Sequence, residues 1–290
     1  MRTTEKAAGK INLFLDIASR RSNGYHNIES IMHTVPLYDT VTLELKDEIS
    51  VSCTNPSVPS DSSNLAYKAA KLFFEASGIS GGVSIHIDKK IPMAGGMAGG
   101  STDAAATLRG LNRLYDFPLS NEKLEELGAK LGADVPFCIR GGTEGVVGIG
   151  YDFIKVPTPP RFIYVIACGG EGISTPAMYR EYDERYCPPI STAESFSFSE
   201  KSEKLKKALE NGEKEDIFSS MFNCFEEIAM EQRPKIREIK QIMTENGADF
   251  SMMSGSGPSV FGIFSSMEQA KKAEKALLAI GVSAFAVFDE

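Results

Sequence analysis

Apolar side chains fall at every second position at Ile11, Leu13, Leu15 and Ile17, again at Val41, Leu43 and Leu45, and a third time at Val83, Ile85 and Ile87. A repeat of two puts such residues on one face of an extended chain, so each run predicts a half-buried strand. Between the second and third runs the pattern turns helical over 64–77, with Ser63 or Asn64 placed to cap the start and Gly78 to end it. Ala104, Leu108, Leu111 and Tyr115 predict a second helix, and a third is expected over 121–131, after Ser120 and before Gly132. Strands followed by a strand–loop–helix unit indicate α+β rather than a regular βαβ alternation.

The Pro-rich stretch 156–160 punctuates the chain. After it the pattern predicts a strand (162–168), a loop, helices near 200–211, 214–231 and 234–246, two short strands around 256–258, a helix (267–280) and a last strand (282–288). That is the order of a ferredoxin-like layer with added helices. The serine-rich patch 191–202 predicts an exposed loop. Two domains are expected, 1–155 and 156–290.

Composition narrows the function. The 290 residues, 42% hydrophobic and 24% charged, suit a soluble globular protein. A net charge of −8 argues against a nucleic-acid binder, although a few local cations can still hold a small anion. The five cysteines are widely spaced with no Cys-x-x-Cys pair, against a zinc site or disulfide framework. Residues 1–10 have no signal-type apolar core, and the longest apolar run, 162–168, is too short to span a bilayer. A cytoplasmic location with no membrane partner is expected; the oligomeric state is left open.

The strongest chemical signal is 91–103. Four glycines and two alanines fall within the seven positions 94–100, directly before the second helix. A glycine-rich loop opening a helix leaves N–H groups unpaired at the positive end of the helix dipole, a cradle for phosphate; a tight turn is the other reading. The P-loop and Rossmann fingerprints are both absent. Ser101 and Thr102 stand where hydroxyls could meet phosphate or magnesium. Asp134, between Gly132-Ala133 and Val135-Pro136, is either a proton acceptor or the cap of the next turn. Lys10, in a strand beside small residues with Asn12 on the same face, is either a cation for phosphate or a lysine reaching water. Ser254-Gly255-Ser256-Gly257-Pro258 is a hairpin loop or a second loop closing over phosphates.

Taken together, Gly9-Lys10-Ile11-Asn12, the Pro-x-x-x-Gly-x-x-Gly-Gly-Ser loop, Gly132-Ala133-Asp134-Val135-Pro136 and Ser254-Gly255-Ser256-Gly257-Pro258 resemble the GHMP small-molecule kinases in type and order. The resemblance spans essentially the whole chain. It implies an N-terminal ribosomal-S5-domain-2-like α+β domain, a C-terminal ferredoxin-like domain, an active site in the cleft between them, and ATP with Mg2+. Gly24-Tyr25-His26 points within the family to the branch whose substrate carries a cytidine diphosphate group and is phosphorylated at a 2-hydroxyl. By that resemblance Asp134 is the catalytic base with Lys10 beside it. Pro92, Met93, Ala94, Gly95, Gly96, Met97, Ala98, Gly99, Gly100, Ser101 and Thr102 hold ATP. Asn12, Tyr25, His26 and Tyr179 bind the substrate, the aromatic rings stacking on cytosine. The family pattern has glycine where this chain has Ala94 and Ala98, and a carboxylate where it has Tyr151. Kinases for homoserine, mevalonate or a sugar, or a non-catalytic nucleotide binder, are the alternatives.

Overall fold

Two long strands, β1 (Arg2–Arg20) and β2 (His26–Lys46), open the chain, joined by a turn in which Gly24 takes φ +86°. In the computed structural model, which describes residues 1–93, 95–192 and 196–288, β1 begins well before the alternation at Ile11. Its buried positions before Ile11 are Glu5, Ala7, Gly9 and Lys10, which carry no hydrophobic alternation. The chain gathers into two compact units. One comprises Met1–Gly9, Leu37–Met93 and Ala98–Gly141, the other Lys10–Pro36, Ala94–Met97 and Gly142–Glu290.

The first unit adds β3 (Ser50–Cys53), α1 (Leu65–Ser77), β4 (Gly82–Asp88), α2 (Gly99–Leu114), α3 (Asn121–Ala129) and α4 (Val135–Arg140). Its strands run in the order β3-β4-β2-β1, with β3 parallel and β2 antiparallel to β4. The expected helix signals operate as physical devices. The Asn64 side chain accepts the Ala66 N–H at 2.8 Å, Gly78 turns left-handed at φ +69°, and Ser120 caps α3 through the Lys123 N–H. Helices α1 and α2 pack on each other and bury small residues, Ala66, Ala69 and Ala70 from one and Ala104, Ala105 and Ala106 from the other. Close packing also explains Gly110: a Cβ there would overlap the Leu43 side chain.

The second unit adds β5 (Thr143–Gly148), β6 (Asp152–Lys155), β7 (Ile163–Cys168), α5 (Thr175–Tyr186), α6 (Glu200–Asn211), α7 (Lys214–Ser220), β8 (Phe222–Asn223), α8 (Glu226–Gln232), α9 (Pro234–Glu245), β9 (Ala248–Met253), β10 (Ser259–Phe264), α10 (Met267–Ala279) and β11 (Ser283–Phe288). Strands β11-β7-β10-β9 form an antiparallel sheet in the ferredoxin-like order, over a core that includes Ile236, Ile239 and Met243 of α9 and Ala270, Ala273 and Leu277 of α10. Strand β5 pairs with β2 at Ile28–His33, and β8 lies parallel to β1 at Phe14 and Leu15. Among the described residues no helix is long and apolar enough to cross a membrane.

Three expectations are corrected. The loop expected after β7 contains α5, a polar helix in which Met178 is the one buried residue. The helix expected over 214–231 is broken at Met221–Phe225, because Phe222 and Asn223 pair with β1. The serine patch is not all loop. Ser202 lies in α6, fully buried, and donates to Glu29 at 2.6 Å, while Glu29 also accepts the Ser199 N–H at 2.9 Å. Of that patch, 193–195 lie outside the described residues.

Gly110→Ala is expected to lower stability by about 1–3 kcal/mol through overpacking against Leu43. Helix propensity alone predicts a gain of about 1 kcal/mol. Urea unfolding distinguishes the two signs.

Candidate active site

The glycine stretch divides between the two units. In the first, Ala98 takes the N-cap position of α2 with left-handed φ +58°, and its carbonyl accepts the Thr102 N–H at 2.8 Å. The N–H groups of Gly99, Gly100 and Ser101 are thus the first-turn donors that helix geometry leaves without intrahelical acceptors. Gly100 is exposed, Gly99 and Ser101 half-buried. Both Thr102 donors are engaged, its hydroxyl with the Ala8 carbonyl at 2.7 Å. Pro92 is half-buried and Met93 exposed; Ala94 lies outside the described residues.

In the second unit, Gly95 and Gly96 lie against the other glycine cluster. Ser254 donates its hydroxyl to the Gly96 carbonyl at 3.0 Å, and the Ser259 N–H reaches the Gly95 carbonyl at 3.2 Å. Gly96 has φ +75°, and a Cβ there would strike the Ser254 carbonyl, so both backbone shape and close approach require glycine. The Met97 carbonyl accepts the N–H of Lys10 at 3.2 Å. Asn223 fastens the same loop from below, donating to the carbonyls of Met253 and Gly255 at 2.8 and 2.9 Å.

Lys10 is not a lysine reaching water. It is only 4% exposed, and its Nζ donates to Asn12 Oδ1 at 2.7 Å. A buried ammonium is costly unless hydrogen-bonded, and the neighbouring position on the same strand face supplies the acceptor. Asn12 is buried too; its N–H donates to Ser254 Oγ at 3.3 Å, and its amide nitrogen donates to Ser30 Oγ at 2.8 Å.

Asp134, half-buried in the first unit, occupies the N-cap position of α4, yet its side chain makes no capping bond. Its carbonyl accepts the Cys138 N–H at 3.0 Å, so the backbone opens the helix while the carboxylate is not used as the cap.

His26 and Tyr179 come together in the second unit, their rings stacked at 4.6 Å and 26°. Tyr179 stands edge-on to Phe225 at 5.0 Å. A residue that sequence reasoning missed joins them. Asp183, one turn on from Tyr179 along α5, accepts from His26 Nε2 at 2.7 Å and pairs with Arg20 at 3.5 Å. Tyr25, at the tip of the β1–β2 turn, is 65% exposed. Its N–H is held by Asn23 Oδ1 at 3.1 Å.

Comparison with known proteins sets this geometry in a family. Residues 64–142 match the GHMP kinases N terminal domain, and residues 205–282 match the GHMP kinases C terminal. Two 4-diphosphocytidyl-2-C-methyl-D-erythritol kinases align closely. The one from Caldicellulosiruptor bescii is 42% identical over 94% of this chain and 93% of its own length. The one from Bacillus pumilus is 45% identical over 91% and 88%. The chain belongs to the GHMP kinase family. A crystal structure of 4-(cytidine 5'-diphospho)-2C-methyl-D-erythritol kinase superposes with a TM-score of 0.80 at 31% identity, covering 99% of this chain and 98% of that one. A homoserine kinase from Cytophaga hutchinsonii shares the fold, with a TM-score of 0.73 at 20% identity and coverage of 100% and 94%. As a GHMP kinase, the chain is an ATP-dependent phosphotransferase.

In this GHMP kinase the first turn of α2 rests on a buried triad within the first unit. Lys89 Nζ donates to Asp39 and, at 2.7 Å, to Asp103. Asp39 also accepts the N–H groups of Lys90 and Ile91, so it grips the strand exit just before the loop. The other oxygen of Asp103 is buried without a hydrogen-bond partner. Burial pushes the Asp103 carboxyl up to about 7, with Asp39 adding to the rise and Lys89 opposing it.

Because its folded pKa lies above the unfolded value of 3.8, the folded protein binds more protons through Asp103 between about pH 4 and 7. Stability from this group therefore falls as pH rises through that window. The expected outcome is a smaller loss of stability between pH 4.5 and pH 7.5 in Asp103→Asn than in the wild type, measured by denaturant titration at each pH. Parallel curves for the two proteins would overturn it.

Proposed function

We propose that the chain transfers the γ-phosphoryl group of ATP to the 2-hydroxyl of 4-diphosphocytidyl-2-C-methyl-D-erythritol, in the non-mevalonate route to isoprenoid precursors. One observation carries the choice of substrate. Relatives bearing that enzyme name align over more than nine-tenths of the chain at 42–45% identity, whereas the homoserine kinase matches at 20%.

Segment 92–102 receives the ATP phosphates, the free first-turn N–H groups of α2 supplying dipole and hydrogen bonds. Among the described residues no three His, Cys, Asp or Glu side chains gather to hold a metal. A Mg2+ ion carried in on ATP would meet the Ser101 hydroxyl as a hard protein oxygen and would neutralise phosphate charge there. Asp134 takes the proton from the substrate 2-hydroxyl, and the oxygen so freed forms its bond to the γ-phosphorus as the bond to the β-phosphate oxygen breaks and ADP leaves. Lys10, held in one geometry by Asn12, stabilises the charge that develops in transfer. Tyr25, His26 and Tyr179 take the cytosine, offering π-faces and a ring nitrogen for its edge.

Asp134→Asn is expected to fold and to bind ATP while losing about 10²–10⁴-fold in kcat, the scale of general-base catalysis. ADP release with the cytidine substrate reads it, and near-normal turnover removes Asp134 from that role. Tyr25 is exposed, so Tyr25→Ala leaves the melting temperature unchanged. It should raise KM for the cytidine substrate by about tenfold, the scale of one lost base–aromatic stack, with KM for ATP unaltered. Equal losses for both substrates would sink the stacking role. Homoserine and mevalonate in the same assay test the substrate class, and preferential turnover of either overturns the proposal.

A further inference from the structure

We infer that Ser30 is a positioning residue for phosphoryl transfer: it sets which way the Asn12 amide faces, and through that amide it aims the Lys10 ammonium. The inference rests on the reading of Lys10 as a catalytic group and extends it to a residue two steps away.

The argument follows the protons. Ser30 Oγ lies 2.7 Å from the Phe14 carbonyl and 2.8 Å from Asn12 Nδ2. A hydroxyl has one proton to donate, and a carbonyl can only accept, so the proton goes to Phe14. Toward Asn12 the hydroxyl can then only accept, which demands that the amide present its NH2 group. The opposite end of the same amide lies 2.7 Å from Lys10 Nζ, which can only donate and so demands the oxygen. The two demands agree, and they come from different strands, since Ser30 is on β2 and Lys10 on β1. Ser30, Asn12 and Lys10 are all buried, so water is a poor substitute for a lost partner. Without the hydroxyl at position 30 the NH2 end loses its acceptor. The flipped amide, which directs N–H groups at the ammonium, is then no longer excluded from both sides. The backbone N–H of Asn12 also donates to Ser254 Oγ, which fixes where the amide is rooted and leaves its rotation as the freedom that Ser30 removes.

A double-mutant cycle tests this through a property of aspartate. Both oxygens of a carboxylate accept, so a residue-12 side chain of Asp has no wrong face. In the wild-type background Ser30→Ala is expected to lower kcat about tenfold, the effect of leaving one buried polar group unpaired, with KM for ATP held within about twofold. In the Asn12→Asp background the same Ser30→Ala step should cost less than about twofold in kcat. Equal losses in the two backgrounds mean that Ser30 merely supports the fold, and an unchanged kcat in the single variant means that it does nothing here. Either result overturns the inference. Should Ser30→Ala not fold or Asn12→Asp be inactive, the isosteric pair Ser30→Thr and Ser30→Val decides. Threonine, which keeps the hydroxyl, should retain about tenfold more kcat than valine, and equal kcat for the two overturns the inference. Lys10→Met is assayed alongside. Full turnover in that variant removes the catalytic reading of Lys10 itself, whereas an inactive Lys10→Met beside a fully active Ser30→Ala removes Ser30 alone.

Discussion

Each unit is organised around an ammonium that has been taken out of water and must be held by hydrogen bonds. An unpaired buried charge costs several kcal/mol, more than most single contacts return, so the side chains around it are constrained in type and in direction. In the second unit the ammonium is Lys10, and the Asn12 amide on the same strand face accepts from it. In the first it is Lys89, placed between Asp39 and Asp103. A lysine between two carboxylates is a tie, and here it ties the strand exit at Lys90 and Ile91 to the first turn of α2. The Asn12 amide holds the Lys10 ammonium without itself cancelling the charge, which suits the proposed role of Lys10 in phosphoryl transfer.

The glycines are arranged to complement these ties. Gly96 is forced by the Ser254 carbonyl and by its φ, and the two glycine clusters, separate in sequence, form one hydrogen-bonded surface at Gly95–Gly96 and Ser254–Ser259. Ala98 is the exception. It holds a left-handed conformation that glycine adopts freely, a geometry that costs an alanine about 1–2 kcal/mol. The loop opens the helix without a glycine at this position, the Ala98 carbonyl accepting the Thr102 N–H. Strain at one position is tolerated because the segments on either side are fixed, by Asp39 before the loop and by Asp103 after it.

What could be read from the sequence is what local chemistry decides. Asn64, Gly78 and Ser120 act on their own helices within a few residues, so α1 and the start of α3 were legible, and so was the strand–helix order that makes the second unit ferredoxin-like. Long-range pairing decides the rest. Met221–Phe225 carries a helical pattern, yet Phe222 and Asn223 are drawn into a strand by Phe14 and Leu15, some two hundred residues earlier. Helix α5 shows little apolar periodicity because it buries Met178 alone, and so it passed as loop. The candidate site divides in the same way. Lys10, Asn12 and the glycine stretch stand out as residues in odd places, whereas Ser30 and Asp183 are ordinary residues made specific by a partner on another element.

Asp183 shows what such a partner can add. A carboxylate only accepts, so the 2.7 Å contact requires that His26 Nε2 be the donor. Arg20 holds Asp183 from the other side, and Tyr179 covers one face of the ring. The imidazole is thus restrained in orientation and in tautomer before any ligand arrives. A base that binds beside a ring already fixed in this way has less conformational entropy to remove, so more of the interaction energy remains as affinity. On the proposed reading, the exposed Tyr25 side chain would be ordered on binding, at a cost in conformational entropy. The His26 ring is thus a restrained aromatic element, and it owes its geometry to a carboxylate 157 residues away in the chain.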